Sequence, residues 1–389
     1  MTDVWVQTIS GRGQAPRWYS PTLWQTMKLS AWLRLLRSQH FRVARNKWPA
    51  AVVTTAMTAG NSALGLLQSA LFGERIRHAA IQPDPVFILG HYRTGTTHLH
   101  NLLALDERLA FPTTFECFAP HHCVLTDRLY PRLFAWLLPS RRVMDDMAMG
   151  LDRPQEDEMA LVVSGVPSPY WSVGFQEEHV GRRYLRLTAV SAEERERWEK
   201  AFLEFLRLVS FRQPAKPLVL KSPPHTARLA VLARLFPRAR YLHLVREPLA
   251  VFASTVRLWG VNRAINALAP WTEAQLEYEV LEGLPRMYQS FERDRAMIPP
   301  GQFHQLRYED LVRDPLGSLE ACYRNIGLGD FEFVRPRVAQ YLAGLRDYRT
   351  NDYAVSPQGT AAIRAAWGAL FRNWGYEIPG PGGGPGSLT

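Results

Sequence analysis

Cysteine is scarce in this chain. The 389 residues contain three, Cys117, Cys123 and Cys322. So few exclude a disulfide framework and point to a reducing compartment. The cluster Cys117-x3-His121-His122-Cys123 fits no common zinc spacing, and no metal is expected. Zinc-finger and RNA-binding signatures are missing, and the arginines are scattered, so nucleic acid is a poor partner. No internal repeat is present. The N-terminus has no secretory signal; it is polar and carries Arg12 and Arg17. Acidic residues number 36 against 46 basic ones, a formal net charge of +10. That balance suits a polyanionic ligand, and an anionic membrane surface equally. An apolar content of 47% is ample for a core. The length accommodates one large α/β domain with an extension.

Charge is also missing locally. No charged residue lies between Trp48 and Gly73, and the run is long enough to span a bilayer. Thr54, Thr55, Thr58, Asn61, Ser62 and Gln68 lower its hydrophobicity, and Arg42, Arg45 and Lys47 precede it. With the aromatic, basic stretch from Trp18 to Trp48, it reads as a helical extension packed on the main domain. Attachment to a membrane surface through an amphipathic helix with a basic flank is the other reading. The expected location is cytoplasmic, with membrane association left open.

What is present begins at residues 85–105. Val86 to Leu89 reads as a buried strand that stops at Gly90. A short loop follows, and a leucine-rich helix begins at Gly95-Thr96-Thr97. Strand, glycine loop and helix N-terminus hold phosphate-like anions, because loop N–H groups and the helix dipole converge on one point. The spacing Gly90-x4-Gly95 fits a Walker A loop, but Thr96 stands where the lysine belongs. That argues against ATP or GTP. Arg93 supplies a cation inside the loop instead.

Two further strands carry cations. Pro217 to Leu220 ends in Lys221-Ser222-Pro223-Pro224-His225, with a helix expected from about Thr226 to Phe236. Tyr241 to Val245 ends in Arg246-Glu247-Pro248, and a helix starting at Pro248 carries Ser254. Parallel sheets bind ligands at the carboxyl ends of their strands. Arg93, Lys221 and Arg246 should therefore meet at one edge, and Ser254 can share a phosphate with Arg246.

Arg-Thr-Gly-Thr-Thr (93–97), Leu-Lys-Ser-Pro (220–223) and Val-Arg-Glu-Pro…Ser (245–254) resemble the donor-binding signatures of sulfotransferases. Tyr308-Glu309-Asp310-Leu311 with Asp314-Pro315 resembles a late segment of the same family. The likeness covers about residues 85–330, and the loop wording is similar to bacterial members. It implies a P-loop NTPase-like parallel sheet flanked by helices. It implies 3′-phosphoadenosine 5′-phosphosulfate (PAPS) as co-substrate, with transfer to a hydroxyl or, second, an amine. Arg93, Thr94, Gly95, Thr96 and Thr97 would bind the phosphosulfate, Arg246 and Ser254 the 3′-phosphate, and Lys221 the leaving group.

The chain departs from cytosolic sulfotransferases, which place a catalytic histidine where this chain has Pro223. His225 lies two residues further on. Branches acting on glycans and protein tyrosine use a glutamate about twenty residues past the loop, a place occupied by Glu116. Glu116 is therefore the favoured base and His225 the second choice. A carboxylate base suits loose in-line transfer, where positioning and charge stabilisation dominate. An acceptor-side role for Glu156 or Asp157 is open. Ser168, Pro169, Tyr170, Trp171 and Phe175 could line an acceptor pocket. The acceptor itself, whether small molecule, lipid or glycan, is not legible. A P-loop kinase or nucleotide hydrolase and a non-catalytic membrane-associated protein are the alternatives. The expected organisation is a helical extension (1–80), a sulfotransferase domain (81–350) and a C-terminal segment (351–389) ending in a flexible Gly/Pro tail.

Overall fold

The computed structural model describes residues 4–10, 22–127, 129, 150–176, 179–345 and 352–378. Arg12, Arg17, Trp18 and the Gly/Pro tail at 379–389 lie outside them. The fold is mixed α/β. Strands β2 (Val86–Leu89), β3 (Val219–Lys221), β4 (Arg240–Val245) and β5 (Phe303–Arg307) form a parallel sheet in the order β3-β2-β4-β5. Parallel pairing needs crossover connections, and helices from these connections cover both faces.

Alternation along the strands sets the two layers. Val86 and Ile88 pack with Leu242, Leu244 and the Thr96–Leu103 helix, through Leu99, Leu102 and Leu103. Phe87 and Leu89 face the opposite layer, with Leu220, Tyr241, Trp198 and Phe202. Every β2 side chain is buried, which explains why the strand reads as a continuous apolar run. The carboxyl ends of β2, β3 and β4 then present Gly90, Lys221 and Arg246 along one edge.

Two long helices, Ala192–Arg212 with a capping box at Ser191 and Glu273–Arg295, flank the sheet strands in the chain. The helix after β3 differs from the expected one. Residues Pro223–Arg228 form a 3-10 turn, and the α-helix proper is Leu229–Leu235. Paired prolines start the turn and delay regular α-helical bonding.

The termini are woven into the main domain. β1 (Val6–Ser10) pairs antiparallel with β6 (Asp352–Val355). Glu277 accepts hydrogen bonds from the Trp5 and Val6 N–H groups. The Pro357–Trp374 helix buries Ile363, Trp367 and Phe371 in the main core, and Trp367 Nε1 donates to the Leu281 carbonyl at 2.8 Å. Trp24, Trp32 and Leu35, around and within the Leu29–Ser38 helix, pack with Tyr170, Trp171 and Met287. The Trp48–Arg77 helix follows and lies against them.

Candidate active site

The loop after β2 is bent by three residues with positive φ. Gly90 has φ +146° and Gly95 +93°. A Cβ on Gly90 would lie 2.6 Å from the Leu244 carbonyl oxygen, and one on Gly95 would collide with the Tyr308 ring. Neither position tolerates a side chain. Arg93, at φ +68°, holds a conformation costly for a non-glycine residue, as functional loops often do. Thr226 Oγ1 accepts from the Gly90 N–H at 2.8 Å and clamps the loop base. Thr94 Oγ1 donates to the His91 carbonyl at 2.8 Å. The Thr96–Leu103 helix starts from this loop, and its first N–H groups have no intrahelical acceptor. Burial holds the neighbouring His91 imidazole down to about 4, so it is neutral near pH 7.

One end of the site gathers Arg93, Arg246 and Ser254. Arg93 Nε donates to Ser254 Oγ at 2.8 Å. Arg246 Nη1 donates to the Arg93 carbonyl at 3.2 Å, and its guanidinium lies 4.4 Å from the Tyr308 ring centroid. Stacking of this kind orients a cation without neutralising it. Tyr308 thus supports both Gly95 and Arg246. Its neighbour Glu309 accepts from the Glu247 N–H at 3.0 Å and from Tyr376 Oη at 2.6 Å. The Tyr308-Glu309 segment is a strut under the Arg246 turn.

The other end is a ladder of three consecutive acids. Glu156, Asp157 and Glu158 pair with Lys221, His225 and Arg228 respectively. Lys221 Nζ lies 2.6 Å from Glu156 Oε1 and 3.3 Å from Thr97 Oγ1. Tyr170 Oη donates to Glu156 Oε2. Burial, reinforced by the Glu156 charge, pushes the Tyr170 phenol well above its usual range, so it remains a donor. Asp157 Oδ2 meets His225 Nε2 at 2.7 Å, and Ser222 Oγ donates to Asp157 Oδ1 at 3.1 Å. Burial alone would raise the Asp157 pKa; its His225 and Ser222 partners hold it below the usual carboxylate range. Glu158 accepts from Arg228 Nη2 at 3.0 Å and from Ser168 Oγ at 2.6 Å. His225, Asp157, Arg228 and Glu158 are fully enclosed, whereas the Glu156 side chain keeps 13% exposure.

Glu116 makes contacts of a structural kind on both oxygens. It closes a capping box on the Thr114–Phe118 helix, with Oε2 accepting from the Thr113 N–H at 2.7 Å. Its Oε1 accepts from Arg212 Nε at 2.7 Å. Both oxygens are engaged and the side chain is 1% exposed. Burial pushes its pKa up, against the pull of Thr113 and Arg212. The helix it caps hydrogen-bonds to the 150–155 stretch: the Phe115 N–H reaches the Leu151 carbonyl, Thr114 the Arg153 carbonyl, and Gln155 the Pro112 carbonyl. Glu116 therefore helps position the segment that presents Glu156. His225 is sealed between Phe87 and Phe202 and faces Asp157.

Beside the loop opens a cavity of about 520 Å³, bordered by Tyr92, Trp259, Leu276, Met287 and Arg263. Tyr92, Tyr170 and Trp259 form one edge-packed aromatic cluster, which links this cavity to Glu156 through Tyr170. Phe175 and Trp171 sit in the adjoining core. Among the described residues, no group of three or more His, Cys, Asp or Glu is placed to hold a metal.

A glycine loop on a parallel sheet, with cations at the ends of three strands, defines an α/β transferase domain of the P-loop-like kind. A sulfotransferase family profile matches residues 85–332. Two curated relatives, from Mycobacterium bovis and Mycobacterium tuberculosis, are each named omega-hydroxy-beta-dihydromenaquinone-9 sulfotransferase Stf3. Each is 39% identical over 361 residues, covering 92% of this chain and 92% of the relative. The fold is similar to that of sulfotransferase STF9 from Mycobacterium avium, with a TM-score of 0.67 and 18% identity over 87% of this chain and 88% of that one. It is also similar to sulfotransferase STF1 from Mycobacterium tuberculosis, with a TM-score of 0.58 and 20% identity over 83% and 88% of the two chains. The chain belongs to the sulfotransferase family.

Proposed function

We propose that this protein transfers a sulfuryl group from PAPS to a hydroxyl group on a lipid-soluble acceptor of the menaquinone type, with Glu156 as general base. The donor half rests on the fit of the residues. Arg93, Arg246 and Ser254 form a cation-rich cluster suited to the 3′-phosphate. Thr94 to Thr97, with the helix N-terminus, suit the 5′ end. The acceptor half rests on the activity named for the two relatives, together with a cavity next to the loop that Tyr92 and Trp259 border alongside several arginines.

The observation that carries the reading is the Lys221–Glu156 pair. The sequence favours Glu116 as the base, but its side chain is 1% exposed against 13% for Glu156. Glu156 combines partial exposure with contact to the cation that faces Thr97 of the loop. PAPS supplies, when bound, a sulfuryl group attached to a phosphate leaving group. Lys221 donates to Glu156 and to Thr97 Oγ1 of the loop. Glu156 takes the proton of the acceptor hydroxyl. Tyr170 keeps the carboxylate oriented through its phenolic donor. Lys221 stabilises the negative charge that develops on the departing side.

Radiolabelled PAPS, incubated with the purified full chain and a hydroxylated menaquinol, tests the reading. The expected result is label in the organic extract that depends on both protein and hydroxyl. Binding of adenosine 3′,5′-bisphosphate without label in the extract would remove this acceptor class and leave the donor assignment standing. Failure to bind the bisphosphate would remove both.

A further inference from the structure

The Trp48–Arg77 helix is mounted with its polar side inward. Ala51, Thr54, Thr58, Gly65 and Gln68 are its buried residues. Asn61 Nδ2 donates to the Gln25 and Met27 carbonyls, and Ser62 Oγ accepts from the Leu29 N–H at 2.9 Å. Thr55 Oγ1 accepts from Trp32 Nε1 at 2.9 Å. Gln68 donates to the Pro120 carbonyl and accepts from the Val124 N–H. The opposite face exposes Val52, Val53, Met57, Leu66, Leu67 and Leu71, with Leu66 76% exposed. At 100° per residue these six fall on one side of the helix and the buried set on the other. A soluble protein normally does the reverse, and an apolar stripe several turns long marks an interaction surface.

The surroundings of the stripe identify its partner. No Asp or Glu occurs from Val4 to Gly73. The segment leading into the helix carries exposed Arg37, Arg42 and Arg45, with exposed Phe41, and the helix opens on exposed Trp48. Aromatic rings and cations around an apolar ridge complement the headgroup region of an anionic bilayer. By length and composition the helix could also cross a membrane. Its hydrogen bonds from Thr55 to Gln68 argue otherwise, because they tie the helix lengthwise to the main domain, and a spanning helix could not keep them.

We infer that the outer face of the Trp48–Arg77 helix docks the protein, in the plane of the interface, on anionic lipid bilayers. The leucine stripe enters the headgroup–acyl boundary, and Arg37, Arg42 and Arg45 meet the lipid phosphates. This inference does not depend on the transfer reaction, and its test involves no turnover.

The test is co-sedimentation of the full chain with vesicles of phosphatidylcholine alone or with added phosphatidylglycerol. The wild type should pellet with the anionic vesicles, less so as salt rises, and should be released by alkaline carbonate. A Leu66→Ser/Leu67→Ser/Leu71→Ser variant should lose partitioning on the order of tenfold or more, while its circular dichroism and bisphosphate binding stay unchanged. An Arg42→Glu/Arg45→Glu variant should lose the preference for phosphatidylglycerol, which keeps the inference testable should the leucine variant fold poorly. Partitioning unaffected by either variant would overturn the inference. So would carbonate-resistant insertion. A concentration-dependent dimer in sedimentation velocity that the leucine variant abolishes would likewise overturn it, since a second copy would then cover the stripe.

Discussion

Lys221 Nζ lies 2.6 Å from Glu156 Oε1. The two residues come from different layers of the chain, one from the end of β3 and the other from the segment leading into the Glu158–Val163 helix. Their contact joins the donor loop, through Thr97, to the aromatic wall, through Tyr170. Under the proposed reading the cation serves the leaving group and the carboxylate the attacking hydroxyl, which lie on opposite sides of the sulfur in an in-line transfer. The adjacent pairs, Asp157–His225 and Glu158–Arg228, are enclosed and hold the same two segments in register.

Glu156→Gln should lower turnover by roughly 10²–10⁴ while leaving bisphosphate affinity near wild type, as expected for loss of a general base. Glu116→Gln should leave turnover of the folded enzyme much less affected and lower its melting temperature instead, since it weakens a capping box and a bond to Arg212. Steady-state kinetics and thermal denaturation of both variants check this. If Glu116→Gln removes turnover at unchanged stability and Glu156→Gln does not, the base is Glu116.

Arg246→Ala should weaken bisphosphate binding by about 1.5–3 kcal/mol, the range for a charge-assisted hydrogen bond. Tyr308→Leu should produce a smaller loss in the same direction, because it removes the ring 4.4 Å from the guanidinium. Calorimetry with adenosine 3′,5′-bisphosphate reads both. Equal affinity for Arg246→Ala and wild type would remove Arg246 from the donor site.

The donor half was legible in the sequence because its signals are local. Each cation follows its own strand, and Gly90 and Gly95 punctuate the loop between strand and helix. Glu156 was harder to read. It lies 65 positions from Lys221, and an acidic run at a helix start is explained well enough by the helix dipole. The signal that was available is the matching order of Glu156-Asp157-Glu158 and Lys221…His225…Arg228, two short segments whose charges pair in sequence. The pairing of β1 with β6 was hidden for the same reason, as it joins opposite ends of the chain. Composition alone could not orient the Trp48–Arg77 helix. Its inward residues are only mildly polar, and which side faces the domain depends on acceptors such as the Gln25, Met27 and Pro120 carbonyls.

Arg228→Met should destabilise the fold by about 3–5 kcal/mol, because it strands the Glu158 carboxylate without its buried partner. Arg228→Met/Glu158→Gln should recover part of the loss by removing the orphaned charge. Urea denaturation of the single and double variants measures the coupling. A double variant no more stable than Arg228→Met would show that Glu158 is satisfied by Ser168 and other neighbours without the arginine.

Acid should weaken the protein through its buried neutral histidines, His243 among them. This side chain is fully buried, between Gln305 and Tyr288. Burial brings its imidazole down to about 4, from an ordinary 6.5. The unfolded chain therefore takes up the proton first as pH falls. Stability is full above about pH 6.5 and declines as pH drops toward 4, by up to about 3 kcal/mol for this one group. Below the folded value both states carry the proton and the contribution levels off. His243→Gln keeps an amide donor for the Gln305 or Tyr288 contact and has no titration in this range. Its stability should change less than wild type between pH 7.5 and pH 5, whatever its absolute value. Chemical denaturation of the two proteins at those two pH values gives the comparison, and equal losses would mean that His243 takes up its proton as readily in the folded state as in the unfolded chain.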